Sequence, residues 1–395
     1  MKILFIKSSH IRIAGMALAL GRMGHEIVEY PEAGEEIGAS EETESKFGRF
    51  LDCMENADLD FVISHIFAPA IAKLTHKRNI KYAVYGVDSP MYHTYLDTYP
   101  RLSNCYLFYF DYAEYTRMKQ MGYTNVYHLP LAADIIWTEN LVVTDEEIAK
   151  YQCDVSFVGG LYCNSLYDRA LHYFPPELQN SFSNLVESCA FRWDGENRMP
   201  PFITPQLLKD MKSCCPKIFE GTYNMPDEYY IMHQFFNRKL TNVERTLLLE
   251  LLAEQYDLRL YTGPEEKVPE GIRSFPPVDY LSDAFKVFYA SKINLNITLR
   301  CIESGIPLRI FDIMSVGGFV LSNYQEEMTQ LFEEDKEIVL FRTPEEMLEK
   351  VDYYLAHDRE RIQIGINGYK KVKEYYSYGC QMQKLISVLT ERTES

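Results

Sequence analysis

Positive charge is scarce in this sequence: 40 lysines and arginines stand against 57 aspartates and glutamates, a formal net charge of −17. A surface that neutralises a phosphate backbone needs clustered cations, so nucleic acid is excluded as the main partner, while a local basic pocket is not. No CxxC pair occurs among the nine cysteines, and adjacent Cys214 and Cys215 suit neither a metal nor an ordinary disulfide. Reduced thiols in a cytoplasmic protein are the expectation. No apolar run is long enough to span a bilayer, so no transmembrane segment is expected. The opening MKILFIKSSHIRIAGMALALG is apolar, but charged and polar residues interrupt it and no small-residue cleavage site follows. It reads as a strand and then a helix rather than a signal peptide. Gly15, Gly21 and Gly24 do not form G-x-G-x-x-G, so the dinucleotide fingerprint is missing too. No DxD motif stands at a strand end and no His or Cys cluster has ligand spacing, so no metal is expected.

What is present is an ordinary globular composition, 47% hydrophobic and 25% charged, on a chain of 395 residues. That length exceeds one ordinary domain and suits two α/β domains. Aromatic residues make up 14%, with 30 tyrosines, which fill cores and also stack on sugars.

Along the chain, Lys2 to Lys7 reads as a strand, Arg12 to Met23 as a helix capped by Gly24, and Glu26 to Tyr30 as the next strand. The acidic, Gly-rich run from Glu32 to Ser45 reads as a solvated loop. Strands at Leu59 to Ser64, Lys81 to Val87 and Tyr106 to Phe110, with a helix at Ala68 to Lys77, imply a parallel sheet covered on both faces. Asp88-Ser89-Pro90 then reads as a helix start, with Asp88 or Ser89 as cap. Asp134 to Tyr151 has little period and reads as a linker. A second sheet opens at DVSFVGG, where Gly159-Gly160 allows a tight turn and close approach of the backbone to a ligand, before a helix at Tyr162 to Tyr173. From about Phe174 to Glu254 the pattern is helical, an insertion in which His233, Arg238 and Arg245 are either functional or satisfied within a helical layer. The sheet resumes at Leu258 to Tyr261 and at Ile272 to Phe275, and Asp279 caps a helix through Ala290.

The stretch Ser291 to Gln325 forms one strand–loop–helix–strand unit. Ile293, Leu295 and Ile297 alternate with Asn294 and Asn296, a strand signature. After Gly305 and Pro307, apolar residues from Leu308 to Val316 recur at helical spacing and stop at Gly317-Gly318, and Phe319 to Leu321 is the next strand. Arg309 and Asp312 lie three apart where the loop enters the helix, the place where parallel sheets bind ligands. An arginine forks onto a phosphate, and a carboxylate accepts from ribose hydroxyls. The alternative is an ordinary i, i+3 ion pair on an amphipathic helix. Glu345 to His357, Asp358 to Tyr376 and Gly379 to Thr390 complete the helices.

The order GIPLRIFDIMSVGGFVLSNYQEEMTQLF, then EIVLF, then PEEMLEKVDYYLAHDRERIQIGINGYKKV, resembles the C-terminal half of the spore-maturation-protein-like (CgeB-like) glycosyltransferases of the GT-B superfamily. DFVISHIFAP, YAVYGVDSPMY and FDYAEYTRMKQMGYTNVYHLPLAAD are similar to that family's N-terminal domain, with its D-x-P after a strand at Asp88 to Pro90 and its L-P-x-A-x-D exit at Leu129 to Asp134. The resemblance implies two Rossmann-like parallel-sheet domains facing across a cleft: residues 1–140 on the acceptor side and 151–378 for the nucleotide-sugar, with a helical insertion at about 174–254. Residues 379–395 would form a terminal helix packing back on the first domain. It also implies that Gly159, Gly160, Arg169, Asn296 and Arg309 lie around the donor. Asp312 stands where the family's R-x-F-E helix has a ribose-binding glutamate, one methylene shorter.

The function so implied is transfer of a sugar from a nucleotide-sugar, the co-substrate, to an acceptor polysaccharide, protein or small molecule, without a metal or other cofactor. Asp88, His10 and His65 are rival bases for an inverting reaction, whereas a retaining one needs none. A nucleotide-sugar 2-epimerase, or a non-catalytic nucleotide-sugar-binding or interaction protein, is the alternative.

Overall fold

The structure, a computed structural model, describes residues 1–7, 14–30, 58–95, 98–220 and 224–391. The chain divides into two compact units, Met1–Glu139 with Glu374–Ser395, and Asn140–Lys373.

The first unit is built on six parallel strands: β1 (Lys2–Ile6), β2 (Glu26–Tyr30), β3 (Phe61–Ser64), β4 (Lys81–Tyr85), β5 (Cys105–Tyr109) and β6 (Val126–His128). They lie in the order β2-β1-β3-β4-β5-β6, so the chain reverses direction across the sheet between β1 and β3. The inner strands are near-continuous apolar runs with Ile3, Leu4, Val62, Ile63, Ala83, Val84 and Leu107 fully buried, as expected when helices cover both faces. Helix Tyr378–Thr390 belongs to this unit and packs on helix Ala14–Arg22, and the Ala133 amide bonds the Tyr376 carbonyl at 2.8 Å.

The second unit has β7 (Val155–Val158), β8 (Leu258–Tyr261), β9 (Ser274–Phe275), β10 (Ile293–Asn296), β11 (Val320–Asn323) and β12 (Val339–Phe341), ordered β12-β11-β10-β7-β8-β9 and again all parallel. Numbered within the unit this is the doubly wound order 3-2-1-4-5-6, read from the β9 edge, and its switch point lies between β7 and β10. Between β7 and β8 run the inserted helices, including Pro176–Cys189, Pro205–Cys214 and Arg238–Ala253, the last entered through a π-helical stretch, Ile231–Asn237. Each unit is thus a parallel α/β sheet with flanking helices, and the second carries the helical insertion. Among the described residues no helix is long and apolar enough to cross a membrane.

Two local expectations change. No α-helix starts at Pro90: the Ser89 hydroxyl donates to Asp111 Oδ2 at 2.8 Å, and two short 3-10 turns, Tyr92–Tyr95 and Tyr99–Arg101, follow. The segment from Asp134 to Tyr151 is not a structureless linker. Asp134 accepts from the Trp137 amide to cap helix Ile135–Thr138, and Thr144 with Glu147 forms a capping box for helix Asp145–Tyr151. Asn294 and Asn296 alternate with the apolar residues of β10, and the face they occupy is covered as well. Asn294 is satisfied inside, accepting from Ser156 Oγ at 3.0 Å and donating to the Phe288 carbonyl at 3.0 Å.

The turn Gly317-Gly318 closes the central unit, and helix Asp358–Tyr375 crosses it at Gly365. A Cβ at Gly365 would lie 2.4 Å from the Gly317 carbonyl oxygen, a backbone atom that cannot swing aside. Helix propensity alone favours alanine over glycine by roughly 1 kcal/mol, but overpacking of this kind costs about 1–3 kcal/mol. Gly365→Ala is therefore expected to lower the urea midpoint with an unchanged m-value; a raised midpoint would show that propensity decides and that the crossing is loose.

Candidate functional site

The switch point of the second sheet is bolted by one arginine. Arg245, on helix Arg238–Ala253, donates from Nε (3.1 Å) and Nη2 (2.5 Å) to the Ile297 carbonyl just past β10, and from Nη1 to the Gly160 carbonyl just past β7 (2.5 Å). Its guanidinium carbon lies 5.2 Å from the ring centroids of both Phe157 and Tyr162. Burial pushes its pKa down to about 10, with the neighbouring Arg309 charge acting in the same direction against Tyr162. It stays a cation at neutral pH, and its donors go to backbone carbonyls.

Arg309 reaches the same strand ends from helix Leu308–Ser315, the helix expected from the apolar spacing. Its Nη1 donates to Asn296 Oδ1 at 3.0 Å, and its guanidinium carbon lies 5.3 Å from the Phe157 ring centroid. Asn296 is fully buried at the end of β10, and its amide is oriented by donation to Ser322 Oγ (2.9 Å) and Thr298 Oγ1 (3.0 Å), which leaves its oxygen for Arg309. Gly159 is needed here twice over. Its φ of +155° suits glycine, and a Cβ would lie 2.5 Å from Arg309 Nη2. Arg309 is half-buried, its Nε is buried without a hydrogen bond, and it forms no ion pair among the described residues. A desolvated cation answered by one neutral amide is unfavourable, and an anion at this point would supply what is lacking.

Asp312 is one turn further along the same helix and is only 3% exposed. No ion pair joins it to Arg309; its Oδ2 accepts from the Tyr280 hydroxyl at 2.8 Å instead. Burial, reinforced by the Asp312 charge, holds that hydroxyl well above the ordinary tyrosine pKa, so it stays a donor. Past β7, the Glu266 carboxylate accepts from the amides of Leu161 (2.8 Å), Tyr162 (2.9 Å) and Cys163 (3.1 Å). Burial alone would raise its pKa, but the three amides outweigh it and hold the carboxyl below its usual range.

Of the residues singled out in the sequence, Gly159, Gly160, Asn296 and Arg309 are brought together at the switch point, and Asp312 sits on the same helix behind them. Arg169 lies on the short helix Leu166–Ala170 that follows the loop, exposed, with Nη1 on the Asn164 carbonyl at 2.8 Å. In the first unit, Asp88 is exposed in the loop after β4 and His65 is buried directly after β3, beside that sheet's own switch point. His10 lies outside the described residues. His233, by contrast, is fully buried in the helical layer, its Nε2 3.4 Å from Glu303 Oε1. Sequence reading missed Glu266 and Tyr280, which stand in irregular segments without periodicity, and left Arg245 open between a functional role and a place within the helical layer. Among the described residues no three His, Cys, Asp or Glu side chains are grouped to hold a metal.

Residues 238–387 match a family model described as glycosyl transferase-like, a segment that contains Arg245, Asn296, Arg309 and Asp312. A search of curated protein sequences finds no match. Among solved structures, the chain is similar to sucrose-phosphate synthase from Thermosynechococcus elongatus (9% identity, 98% of each chain, TM-score 0.56). It is also similar to an alpha-glucosyltransferase in complex with UDP and a 13-mer DNA containing a HMU base (10% identity, 99% of this chain and 100% of that one, TM-score 0.54). A glycosyltransferase from Rickettsia africae ESF-5 is similar as well (10% identity, 98% and 97%, TM-score 0.51). At these identities the likeness speaks for the fold, and the chemistry must come from the residues. A glycosyl transferase-like domain set in a GT-B fold makes this chain an enzyme of the glycosyltransferase class.

Proposed function

We propose that this glycosyltransferase moves a sugar from a nucleotide-sugar donor to an acceptor without a metal, and that the second unit holds the donor with its diphosphate on Arg309. The observation that carries this reading is the half-buried Arg309 guanidinium, without an ionic partner among the described residues, at the switch point of a doubly wound sheet. As the bond to the sugar breaks, negative charge develops on the departing diphosphate. A preorganised cation stabilises that charge more than it stabilises the bound donor, which is what lowers the barrier. Arg245 adds a second fixed positive charge close by and holds the two strand ends in register.

Asp312 holds the ribose in this reading, its carboxylate positioned by the Tyr280 hydroxyl to accept from a sugar hydroxyl. The aspartate in place of the glutamate of the CgeB-like subfamily, to which we assign the chain, shortens the reach by one methylene. The UDP in the complex of the similar alpha-glucosyltransferase supports a nucleoside diphosphate as the leaving group. That protein's complex also contains DNA, but the net charge of −17 here speaks for an acceptor other than nucleic acid. The first unit then serves the acceptor, with His65, Asp88 or His10 as the base of an inverting reaction. The absence of a long apolar helix among the described residues is compatible with a cytoplasmic site of action. None of the comparisons points to an epimerase.

A hydrogen bond to a charged group contributes about 1.5–3 kcal/mol, so Arg309→Ala is expected to weaken binding of the preferred nucleoside diphosphate by roughly 10- to 100-fold in calorimetric titration. Its melting temperature should change little or rise, because an unanswered charge is removed. Gly159→Ala should reproduce the loss by pushing the guanidinium aside, and unchanged affinity in both folded variants would remove Arg309 from the donor site. Asp312→Ala should weaken nucleosides and nucleotides alike but leave inorganic pyrophosphate unaffected; equal loss for pyrophosphate would contradict a ribose contact.

A further inference from the structure

The loop after β7 presents three successive amides to a single carboxylate. Leu161 and Tyr162 donate to Glu266 Oε1 at 2.8 and 2.9 Å, and Cys163 donates to Oε2 at 3.1 Å. Tyr162 holds a left-handed backbone with φ +62°, unusual for a tyrosine, and a Cβ on Gly160 would lie 2.7 Å from Glu266 Oε1. Consecutive amides turned inward by such a backbone form a concave site for an anion, like the loops that hold phosphate at the ends of parallel strands.

This loop opens on a cavity of about 320 Å³ lined by, among others, Tyr162, Asn164, Arg169, Arg238, Glu265 and Glu266. Arg169 has its Nη1 on the Asn164 carbonyl and makes no ion pair among the described residues. The Arg238 guanidinium carbon lies 5.5 Å from the Tyr162 ring centroid. Two guanidiniums thus border a cavity on a chain whose net charge is −17. The same loop begins at Gly159, against Arg309, and its Gly160 carbonyl is the one Arg245 holds.

We propose that amides 161–163 are a phosphate-binding nest of which Glu266 is the built-in occupant, released when a phosphate group enters from the cavity flanked by Arg169 and Arg238. The carboxylate is the chain's own substitute for phosphate oxygens, and it keeps the loop ordered while the nest is empty of ligand. The proposal rests on the donor reading for the identity of the natural ligand, a nucleoside diphosphate, but not for the anion site itself. A permanent structural clamp would use the same three hydrogen bonds, and the two roles differ in sign. A nest occupied by its own carboxylate binds phosphate more weakly by the fraction of time it is vacant. Removing a clamp would only disorder the loop.

The test is calorimetric titration of inorganic pyrophosphate into the wild-type protein, Glu266→Ala and Glu266→Gln, with folding checked by circular dichroism. Glu266→Ala should bind pyrophosphate about tenfold tighter than wild type or better, Glu266→Gln should fall between, and adding Arg169→Ala should cancel much of the gain. Equal, weaker or absent binding by folded Glu266→Ala overturns the proposal. If that variant does not fold, Glu266→Gln decides by the same criterion, and loss of fold in both marks an indispensable clamp and overturns it as well. The donor reading is judged separately by titrating UDP, GDP and ADP into wild type and Arg309→Ala, so either idea can fail while the other stands.

Discussion

Arg309 carries a positive charge to the end of a parallel sheet, and among the described residues no carboxylate answers it. A guanidinium there, half removed from water, has one neutral amide oxygen as its partner and one buried nitrogen without any. In a chain with 57 acidic residues an answering carboxylate was readily available. The arrangement makes chemical sense when the missing partner is a ligand, and the surrounding features follow from keeping that place open. Gly159 has no side chain where one would strike the guanidinium, Asn296 is oriented by Ser322 and Thr298 to steady it, and Asp312 is turned to Tyr280 rather than to Arg309.

Holding such a site requires two strand ends that are distant in sequence to stay in register, and the inserted helical segment provides this. Arg245 crosses from helix Arg238–Ala253 to the Gly160 and Ile297 carbonyls, satisfying backbone groups that the sheet leaves open at its switch point. The cost of burying this cation appears as its lowered pKa, and the face of Phe157 near both guanidiniums offsets part of it. Glu266 acts on the other side of the loop, answering amides instead of cations. Two arginines and one carboxylate therefore define the shape of the Gly159–Cys163 loop from opposite sides.

Much of this was readable from residue order. The alternation from Ile293 to Ile297, the helical spacing from Leu308 and the stop at Gly317-Gly318 correspond to β10, helix Leu308–Ser315 and the turn before β11, because local periodicity and capping decide those elements. The capping box Thr144 to Glu147 was equally visible, yet the acidic composition around it suggested a linker. β6 was missed because three residues carry too little period. What residue order did not show was contact. Gly159 and Arg309 were each singled out, but that the first exists to clear the second follows only from the β7–β10 pairing. Glu266 and Tyr280 carry no local signal; their roles come from the chain that folds over them. Neither Asn294 nor Asn296 is solvent-facing, since alternation marks a strand without saying whether its polar face is covered.

The most direct test of the account is a crystal structure of the protein with its preferred nucleoside diphosphate. The account predicts diphosphate oxygens within hydrogen-bond distance of Arg309 Nη2 or Nε, beside Gly159 at the β7–β10 switch point, with the ribose toward Asp312. A nucleotide seated elsewhere, with Arg309 still bonded to Asn296 alone, would contradict it.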